Sequence, residues 1–339
     1  MKRISQLAIF ASLLAAAPAF AQQSHQTAAD TDEFLPREDV GHTLAFSWRS
    51  MTENFWNRSR PGGVFVGTNF YLVGGELDRN VHGARRAKTV EIFDGTTGTW
   101  SSSLVKMTTG VSNIMGSVAA VGDRIYVFGG YDGLSVRTDS IQVYDISADQ
   151  WAVHTTPMPE ALYGCLAVTL GGGQIFVCGG STDNGATNSA FVFDTVTGTI
   201  TPTSPMPTAR YLITGDRQGN IVYVAAGFGT GTTLETYDIT TDTWTTLPDL
   251  PNDRAGCGVM AVAQYCVFYG GDWSNYRNDV DLYDSVTGTY DATKAAALGT
   301  MPVGKRAFAY DDYQVPGTRA LVAFNGWAGS FLYDCSALF

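Results

Sequence analysis

The stretch Ile125-Tyr126-Val127-Phe128-Gly129-Gly130 decides the fold, together with the pair Tyr144-Asp145 and the Trp151 that follow it. Four apolar residues in a row are typical of a buried β-strand, and a glycine pair directly after them indicates a turn. The same succession recurs along the chain at intervals of 44 to 55 residues. A self-similar unit of this length indicates a repeat architecture, in which each copy is one supersecondary unit.

The apolar run and its glycine doublet occur six times. The first residues of the six doublets are Gly74, Gly129, Gly179, Ala226, Gly270 and Asn325. An aromatic-Asp pair follows each copy, beginning at Phe93, Tyr144, Phe193, Tyr237, Tyr283 and Tyr333. Seven positions after the first five aromatics stand the bulky residues Trp100, Trp151, Ile200, Trp244 and Tyr290. The aspartate caps a turn and a nearby glycine takes positive φ, so each segment predicts a tight turn between two strands.

These marks resemble those of the kelch repeat: the glycine doublet, the Tyr-Asp pair and the spaced tryptophan. The resemblance covers residues 43–339. It implies an all-β fold, a six-bladed kelch-type β-propeller with four-stranded blades around a central channel. The sixth repeat has no outer strand of its own, and Trp48 stands ten residues before Arg58 as Trp244 stands ten before Arg254. We therefore expect an N-terminal strand within residues 44–51 to close the sixth blade.

The composition fits a compact β-protein and excludes several other classes. Glycine accounts for 38 of 339 residues, charged residues for 16% and aromatic residues for 12%. A disordered chain would have low hydrophobicity and high charge, and a coiled coil would be rich in Ala, Glu, Lys and Leu. The net charge of -11 argues against nucleic acid as a partner, because binding to phosphates relies on clustered Lys and Arg.

The beginning of the chain predicts an export signal. Two basic residues precede an apolar stretch (7–18) and the cleavage-like sequence Ala19-Phe20-Ala21. We expect residues 1–21 to be a signal peptide, residues 22–42 an N-terminal extension, and the protein to be secreted or periplasmic. The alternative is an N-terminal anchor helix. No other stretch approaches the roughly 18 apolar residues that a membrane helix needs, so we expect no membrane span, and a monomer.

A set of equivalent positions is found by counting back sixteen residues from the first doublet residue of each repeat. With three inserted residues allowed in the sixth repeat, these positions are Arg58, Asn113, Tyr163, Arg210, Arg254 and Arg306. Equivalent positions in a propeller encircle the axis, and arginine suits carboxylate, sulfate or phosphate through its planar donor fork. The kelch resemblance implies that this rim is the binding face. The alternative is that the arginines bond loop carbonyls or acids such as Glu76, Asp132 and Asp272.

The loops after the doublets add four candidate ligand-binding residues: Tyr131, Asp272, Trp273 and Trp327. Aromatic rings next to Arg and Asp suit sugar rings or a flat organic ligand. For each aromatic residue the alternative is packing against a neighbouring blade. The expected ligand is a small anionic or polyhydroxy, sugar-like molecule, with an acidic peptide as a further possible partner.

The resemblance leaves the function open between catalysis and binding. Secreted kelch-like propellers include sugar-acid mutarotases, and other propellers include lyases and cyclising enzymes. An isomerase, lyase or cyclase of this kind would use Tyr163, with His82, to move a proton. For His82 the alternative is a solvated loop residue. The competing functions are a non-catalytic module that binds a protein or a glycan on the same face, and a structural protein of the cell envelope.

The histidines and cysteines predict no metal site and no cofactor. Four scattered histidines and the lack of a Cys-x-x-Cys offer no ligand spacing. In an exported chain the five cysteines suggest disulfides. Cys165 and Cys178 fall opposite each other across a glycine-rich turn, and Cys257 and Cys266 flank the equivalent turn two repeats later. Each pair is either a disulfide or two buried thiols, and Cys335 is left over.

Overall fold

The computed structural model describes residues 48–78, 85–134, 136–315, 318–329 and 335–338. The predicted signal peptide and N-terminal extension lie outside these residues, so export stays a prediction. The regular secondary structure of the described residues is β-strand apart from one short helix, Ala292–Ala297. In this part of the chain, no helix is long and apolar enough to cross a membrane.

The described residues contain six antiparallel sheets of four strands each, one for each repeat. Sheet 1 consists of Gly62–Val66, Asn69–Val73, Val90–Asp94 and Thr99–Ser102. Sheet 2 consists of Val118–Val121, Arg124–Phe128, Ile141–Asp145 and Gln150–Val153. Sheet 3 consists of Leu166–Gly171, Gln174–Cys178, Ala190–Asp194 and Ile200–Pro202. Sheet 4 consists of Thr214–Gln218, Ile221–Ala225, Leu234–Asp238 and Thr243–Thr246. Sheet 5 consists of Gly258–Val262, Tyr265–Tyr269, Val280–Asp284 and Thr289–Tyr290. Sheet 6 consists of Ala309–Val315, Thr318–Phe324, Cys335–Leu338 and Trp48–Ser50.

Three shorter two-stranded pairs involve the loops after the glycine doublets. They are Arg58–Ser59 with Glu76–Leu77, Val111–Ser112 with Tyr131–Asp132, and Ser181–Thr182 with Gly185–Ala186. The first two pairs join the segment before the first strand of a sheet to the loop after its glycine doublet. These two kinds of segment therefore lie side by side at one end of the sheets.

The sixth sheet joins the two ends of the described chain. Trp48–Ser50 pairs with Cys335–Leu338, with Trp48 opposite Leu338 and Ser50 opposite Ser336. This is the N-terminal strand expected from the spacing between Trp48 and Arg58, although residues 44–47 of the expected segment lie outside the described residues. The pairing covers a strand edge that would otherwise be open.

A closed ring of backbone hydrogen bonds runs through all six repeats, and we call it the axial ring. Its members are Arg60, Asn113, Gly164, Leu212, Gly256 and Ala307. The N–H of each member donates to the carbonyl of the member before it, and Arg60 donates to Ala307, at 2.7 to 3.4 Å. All six residues have left-handed backbones, with φ between 53° and 67°. The sheets therefore surround a common axis, which confirms the all-β propeller fold.

The spacing between the aromatic-Asp pair and the bulky residue follows from the outer hairpin of each sheet. Phe93 lies directly opposite Trp100, and Tyr237 lies opposite Trp244. The ring centres are 5.3 and 5.1 Å apart, a distance at which aromatic pairs attract each other beyond the burial of their area. The tight turn between the two strands fixes this register, as the sequence predicts.

The disulfide predictions are wrong for both pairs, because Cys165, Cys178, Cys257 and Cys266 are buried free thiols. A register irregularity between Thr169 and Gly171 places Leu166, and not Cys165, opposite Cys178. A shift of one residue moves a side chain to the other face of its sheet, so the two thiols point into different cores. In sheet 5, Ala261 lies opposite Cys266, which leaves Cys257 beyond reach of it. The side chain of Cys335 lies outside the described part.

Candidate ligand-binding site

The candidate site is the end of the propeller at which each sheet receives its first strand, and we call this end the rim. Here the chain before the first strand lies next to the loop after the doublet. Ser59 pairs with Glu76, Ser112 with Tyr131, Tyr163 with Ser181, and Arg306 with Trp327. In sheet 4, the N–H of Phe228 donates to the carbonyl of Tyr211 at 2.9 Å. The rim therefore brings together most of the residues predicted to bind a ligand.

Three of the predicted arginines do not reach the rim surface. Arg58, Arg210 and Arg254 are fully buried. Each donates from Nη1 to the carbonyl of the first doublet residue of its repeat, at 2.9, 2.9 and 2.5 Å. This bond explains the sixteen-residue spacing found in the sequence.

Each of these arginines also pairs with a buried carboxylate. The N–O distances are 2.7 Å for Arg58–Glu91, 2.6 Å for Arg210–Glu235 and 2.8 Å for Arg254–Asp281. Burial lowers the pKa of Arg58 and raises the pKa of Glu91, while their mutual attraction opposes both shifts. The three pairs belong to the interior of the propeller, and we do not retain these arginines as ligand-binding residues.

The predicted ring also mixes positions that are not equivalent. The N–H of the second doublet residue donates to a carbonyl in the next repeat, and the acceptors are Arg58, Val111, Leu162, Arg210, Arg254 and Lys305. Asn113, Tyr163 and Arg306 therefore stand one or two residues beyond the equivalent position. The count fails because the distance from this position to the doublet varies from 16 to 20 residues.

A sequence signal could have separated the two groups. Two positions before the aromatic-Asp pair, the repeats with a buried arginine carry an acid: Glu91, Glu235 and Asp281. The second and third repeats carry Gln142 and Phe191 there, and they have Val111 and Leu162 in place of the arginine. An acid that appears only where the arginine appears indicates an internal ion pair.

Arg306 differs from the buried arginines. It is only 7% exposed, and its guanidinium lies 3.7 Å from the ring centre of Trp273. Nη1 donates to the carbonyl of Trp273, whereas the buried Nε has no hydrogen-bond partner. Among the described residues, no carboxylate forms an ion pair with Arg306. Burial lowers the pKa of Arg306 and the charge of Arg60 lowers it as well, whereas Tyr276 and Asp272 oppose the shift.

Arg60 approaches the same tryptophan and was not among the predicted residues. Its guanidinium is 5.7 Å from the ring centre of Trp273, and Nη1 lies 2.8 Å from Oε2 of Glu76. Glu76 also lies 3.5 Å from Arg86. Arg60 is a member of the axial ring with φ 58°, a backbone conformation that costs an arginine about 1 kcal/mol or more. The other five residues of the axial ring share this conformation, so it belongs to the fold, and the approach of Arg60 to Trp273 is the signal that only the structure reveals.

Aromatic side chains form a continuous contact series on the rim, which we call the aromatic arc: Tyr131, Tyr163, Tyr211, Phe228 and Trp273. Successive ring centres are 5.2, 5.7, 5.4 and 5.5 Å apart. Phe228 is 42% exposed, and the other four are half-buried. Arg137 lies 5.2 Å from the ring centre of Tyr163. The arc brings three predicted residues together and adds Tyr211 and Phe228.

The remaining predicted residues have different surroundings. Asn113 is in the axial ring, and its Nδ2 donates to Oγ of Ser112 at 3.4 Å. The indole of Trp327 donates to the hydroxyl of Tyr276 at 3.3 Å, and the backbone of Trp327 pairs with that of Arg306. His82 lies outside the described residues, so the proposed Tyr163–His82 acid–base pair stays a prediction.

Asp272 caps its own loop and does not present a free carboxylate. Its Oδ1 accepts from the N–H of Ser274 at 2.8 Å, and its Oδ2 accepts from the side chain of Asn275 at 2.9 Å. Burial alone would raise the pKa of Asp272, but these hydrogen bonds hold it below its ordinary value. Asp272 thus shapes the loop that carries Trp273. Within the described residues, no group of three or more His, Cys, Asp or Glu could hold a metal ion.

Comparison with known proteins identifies the family. The profile of the KLHDC2/KLHL20/DRC7 Kelch-repeats domain matches residues 62–249 and 117–311. Kelch-like protein 25 of Xenopus tropicalis is 31% identical over 213 residues, which cover 58% of this chain and 35% of the relative. Kelch-like protein 35 of Mus musculus is 26% identical over 76% of this chain and 43% of the relative. Kelch-like protein terF of Aspergillus terreus is 34% identical over 47% of this chain and 39% of the relative.

A solved structure supports the fold independently. The structure of YjhT superposes with a TM-score of 0.67 at 14% identity, covering 83% of this chain and 94% of that chain. The matched regions amount to less than half of the length of the three kelch-like relatives. The repeat marks, the axial ring and the profile match agree with one another, and the chain belongs to the kelch-repeat family.

Proposed function

We propose that this propeller is a binding module that holds a carboxylate-bearing ligand on its rim, with Arg306 as the main anion-binding residue. Kelch propellers serve as binding scaffolds, but the fold alone does not name a ligand. The observation that carries the proposal is the state of Arg306: nearly buried, with a partnerless Nε and no ion pair among the described residues. An uncompensated charge at this depth is unfavourable, and an anion from solution would compensate it.

The surroundings of Arg306 support a carboxylate in particular. The guanidinium lies against Trp273, 3.7 Å from its ring centre, and Nη1 already donates to the Trp273 carbonyl, which leaves the rest of the planar donor fork as the recognition element. A carboxylate can accept two parallel hydrogen bonds from such a fork. Arg60 adds a second positive charge near Trp273, although it shares that charge with Glu76. The net charge of the chain is -11, so the positive charge at Arg306 and Arg60 is opposite in sign to the overall charge of the protein.

The carboxylate can come from a small organic acid or from an acidic peptide, and an experiment separates the two sources. Isothermal titration should compare acetate, glucuronate and phenylacetate with a peptide that carries several glutamates. We expect Arg306→Ala to weaken binding of every carboxylate ligand by about tenfold or more, since a charge-assisted hydrogen bond contributes about 1.5–3 kcal/mol.

Arg217→Ala is the matched control. Arg217 also donates to backbone carbonyls, of Gly219 and Thr169, but it lies at the end of its strand away from the rim. Its replacement should leave the affinities unchanged. If no carboxylate ligand binds the unmodified protein, or if Arg306→Ala binds as tightly as the unmodified protein, the proposed function is wrong.

A further inference from the structure

The two halves of the rim differ in chemistry. Sheets 2 to 5 contribute the aromatic arc, while the part near sheet 1 carries Arg60, Glu76 and Arg86. The two halves meet at Trp273, whose ring contacts Phe228 of the arc and both Arg60 and Arg306. A ligand held at Arg306 therefore has charged groups on one side and aromatic rings on the other.

The aromatic half offers apolar surface next to the anion-binding arginine. Phe228 is 42% exposed, and its ring centre is 5.5 Å from that of Trp273. An exposed aromatic face without a polar partner favours a ligand with a flat apolar body, because the contact removes apolar area from water. Hydroxyl groups placed over Phe228 would lose their bonds to water without receiving new ones from its side chain.

We infer that the ligand is an arylcarboxylate, with its carboxylate at Arg306 and its aromatic ring over Phe228. This inference rests on the proposed function and narrows it, because it excludes the sugar acids that the sequence left open. The guanidinium of Arg306 is 3.7 Å from the ring centre of Trp273, which is 5.5 Å from the ring centre of Phe228. A carboxylate separated from an aromatic ring by no more than one carbon suits two groups that flank a single tryptophan in this way. Phe228 is then the residue that selects the ligand class, while Arg306 supplies the affinity common to all carboxylates.

A comparison of three carboxylates tests the inference: phenylacetate, glucuronate and acetate as the bare anion. Isothermal titration should give an affinity for phenylacetate at least tenfold higher than for glucuronate. The intrinsic tryptophan fluorescence of the protein should change when phenylacetate saturates the rim, because Trp273 contacts both Arg306 and Phe228. Phe228→Ser should lower the affinity for phenylacetate by about five- to tenfold and leave that for acetate unchanged.

Two variants control for damage to the fold. Phe228→Tyr keeps the ring and should retain the affinity for phenylacetate. Val196→Ser removes an 83% exposed apolar side chain in a turn at the opposite end of sheet 3 and should change nothing. Equal affinity for glucuronate and phenylacetate, or an unchanged affinity of Phe228→Ser, overturns the arylcarboxylate and leaves the carboxylate function standing. Failure of all three small carboxylates to bind overturns the arylcarboxylate, and the glutamate peptide then decides the carboxylate function: if the peptide does not bind either, both are overturned.

Discussion

Single residues decide how this chain uses its arginines. Arg210 donates from Nη2 to Oε2 of Glu235 at 2.6 Å, and both side chains are fully buried. Thr208 donates to the other carboxylate oxygen of Glu235 at 2.7 Å. A buried pair of this kind adds little stability relative to an apolar pair, but the loss of one partner leaves a buried charge alone. The removal of either Arg210 or Glu235 alone should therefore destabilise the folded protein strongly.

Glu235→Gln should destabilise the protein strongly for this reason. We expect a loss of about 3–5 kcal/mol in the free energy of unfolding, because Arg210 would keep its charge without a counter-ion. The measurement is denaturation by urea, followed by the fluorescence of the tryptophans.

Asp183→Asn provides the matched control for Glu235→Gln. Asp183 pairs with Arg137 at 2.8 Å, but its side chain is 86% exposed. Exposed pairs contribute about 0–1 kcal/mol, so this variant should stay close to the unmodified protein. Equal losses in the two variants would contradict the interpretation that burial makes the Arg210–Glu235 pair indispensable.

Residue types could be predicted from the sequence better than their environments. The spacing placed Tyr163 and Arg306 at the rim, and the loops after the doublets placed Tyr131 and Trp273 there, which is where the structure has them. The spacing also placed Arg210 there, because the kelch resemblance assigned the counted position to the binding face, whereas the structure buries that position. Tertiary contacts decide between these outcomes: Arg210 has a carboxylate within its own sheet, and Arg306 has none among the described residues.

At the scale of elements, the outer hairpins share a turn that an aspartate organises. Oδ1 of Asp94 accepts from the N–H of Thr96 at 2.8 Å, and Oδ1 of Asp194 accepts from the N–H groups of Val196 and Thr197 at 2.9 and 2.8 Å. Hydrogen bonds to the ionised carboxyl lower its pKa: mainly from the Thr96 side chain for Asp94, and from the Thr197 and Val196 backbone for Asp194. The side chain of Thr240 does the same for the pKa of Asp238.

These turns should make stability depend on pH below about 4. Because the pKa of each aspartate is lower in the folded than in the unfolded chain, the stabilisation is complete above the unfolded value of about 3.9. It is lost as the pH falls through the lower, folded pKa. The triple variant Asp94→Asn, Asp194→Asn, Asp238→Asn keeps the acceptor oxygens but does not titrate. The melting temperature of the unmodified protein should exceed that of the variant at pH 7, and the difference should shrink at pH 3. A difference that stays constant between these pH values would contradict the role of the carboxylates.

The strands and turns could be predicted because their signals are local. The apolar run, the doublet and the aromatic-Asp pair each act within a few residues, and the structure has a strand or a turn at each described one. The disulfides could not be predicted, since the irregularity between Thr169 and Gly171 shifts the register by one residue. The three glycines at 171–173, all with positive φ, permit such an irregularity without specifying its register, and the shift separates Cys165 from Cys178.

At the scale of the whole molecule, the propeller depends on how its first and last repeats are joined. The strand Trp48–Ser50 provides backbone pairing with Cys335–Leu338. A pair of side-chain amides adds to it: Nδ2 of Asn54 donates to Oδ1 of Asn325 at 2.9 Å, and Nδ2 of Asn325 donates back at 3.0 Å. Asn54 also donates to Oε2 of Glu91 at 2.6 Å. Asn325 occupies the first position of its doublet, with φ 60°, so this departure from glycine has a reason.

Asn54→Ala should loosen this closure in particular. The substitution leaves the buried amide of Asn325 without its reciprocal partner and removes a donor from Glu91, so we expect a loss of about 1–3 kcal/mol in the free energy of unfolding. Because each repeat contacts its neighbours, and the first and last strands of the described residues pair within sheet 6, the loss should be local. Hydrogen exchange should therefore become faster in Trp48–Ser50 and Cys335–Leu338, while Gln174–Cys178 in sheet 3 keeps its protection. Asn184→Ala, at an exposed loop position, is the control and should change neither. Equal acceleration in sheets 3 and 6 would mean that the propeller opens as one cooperative unit, in which case the Asn54–Asn325 pair stabilises the whole ring and does not act as its closure.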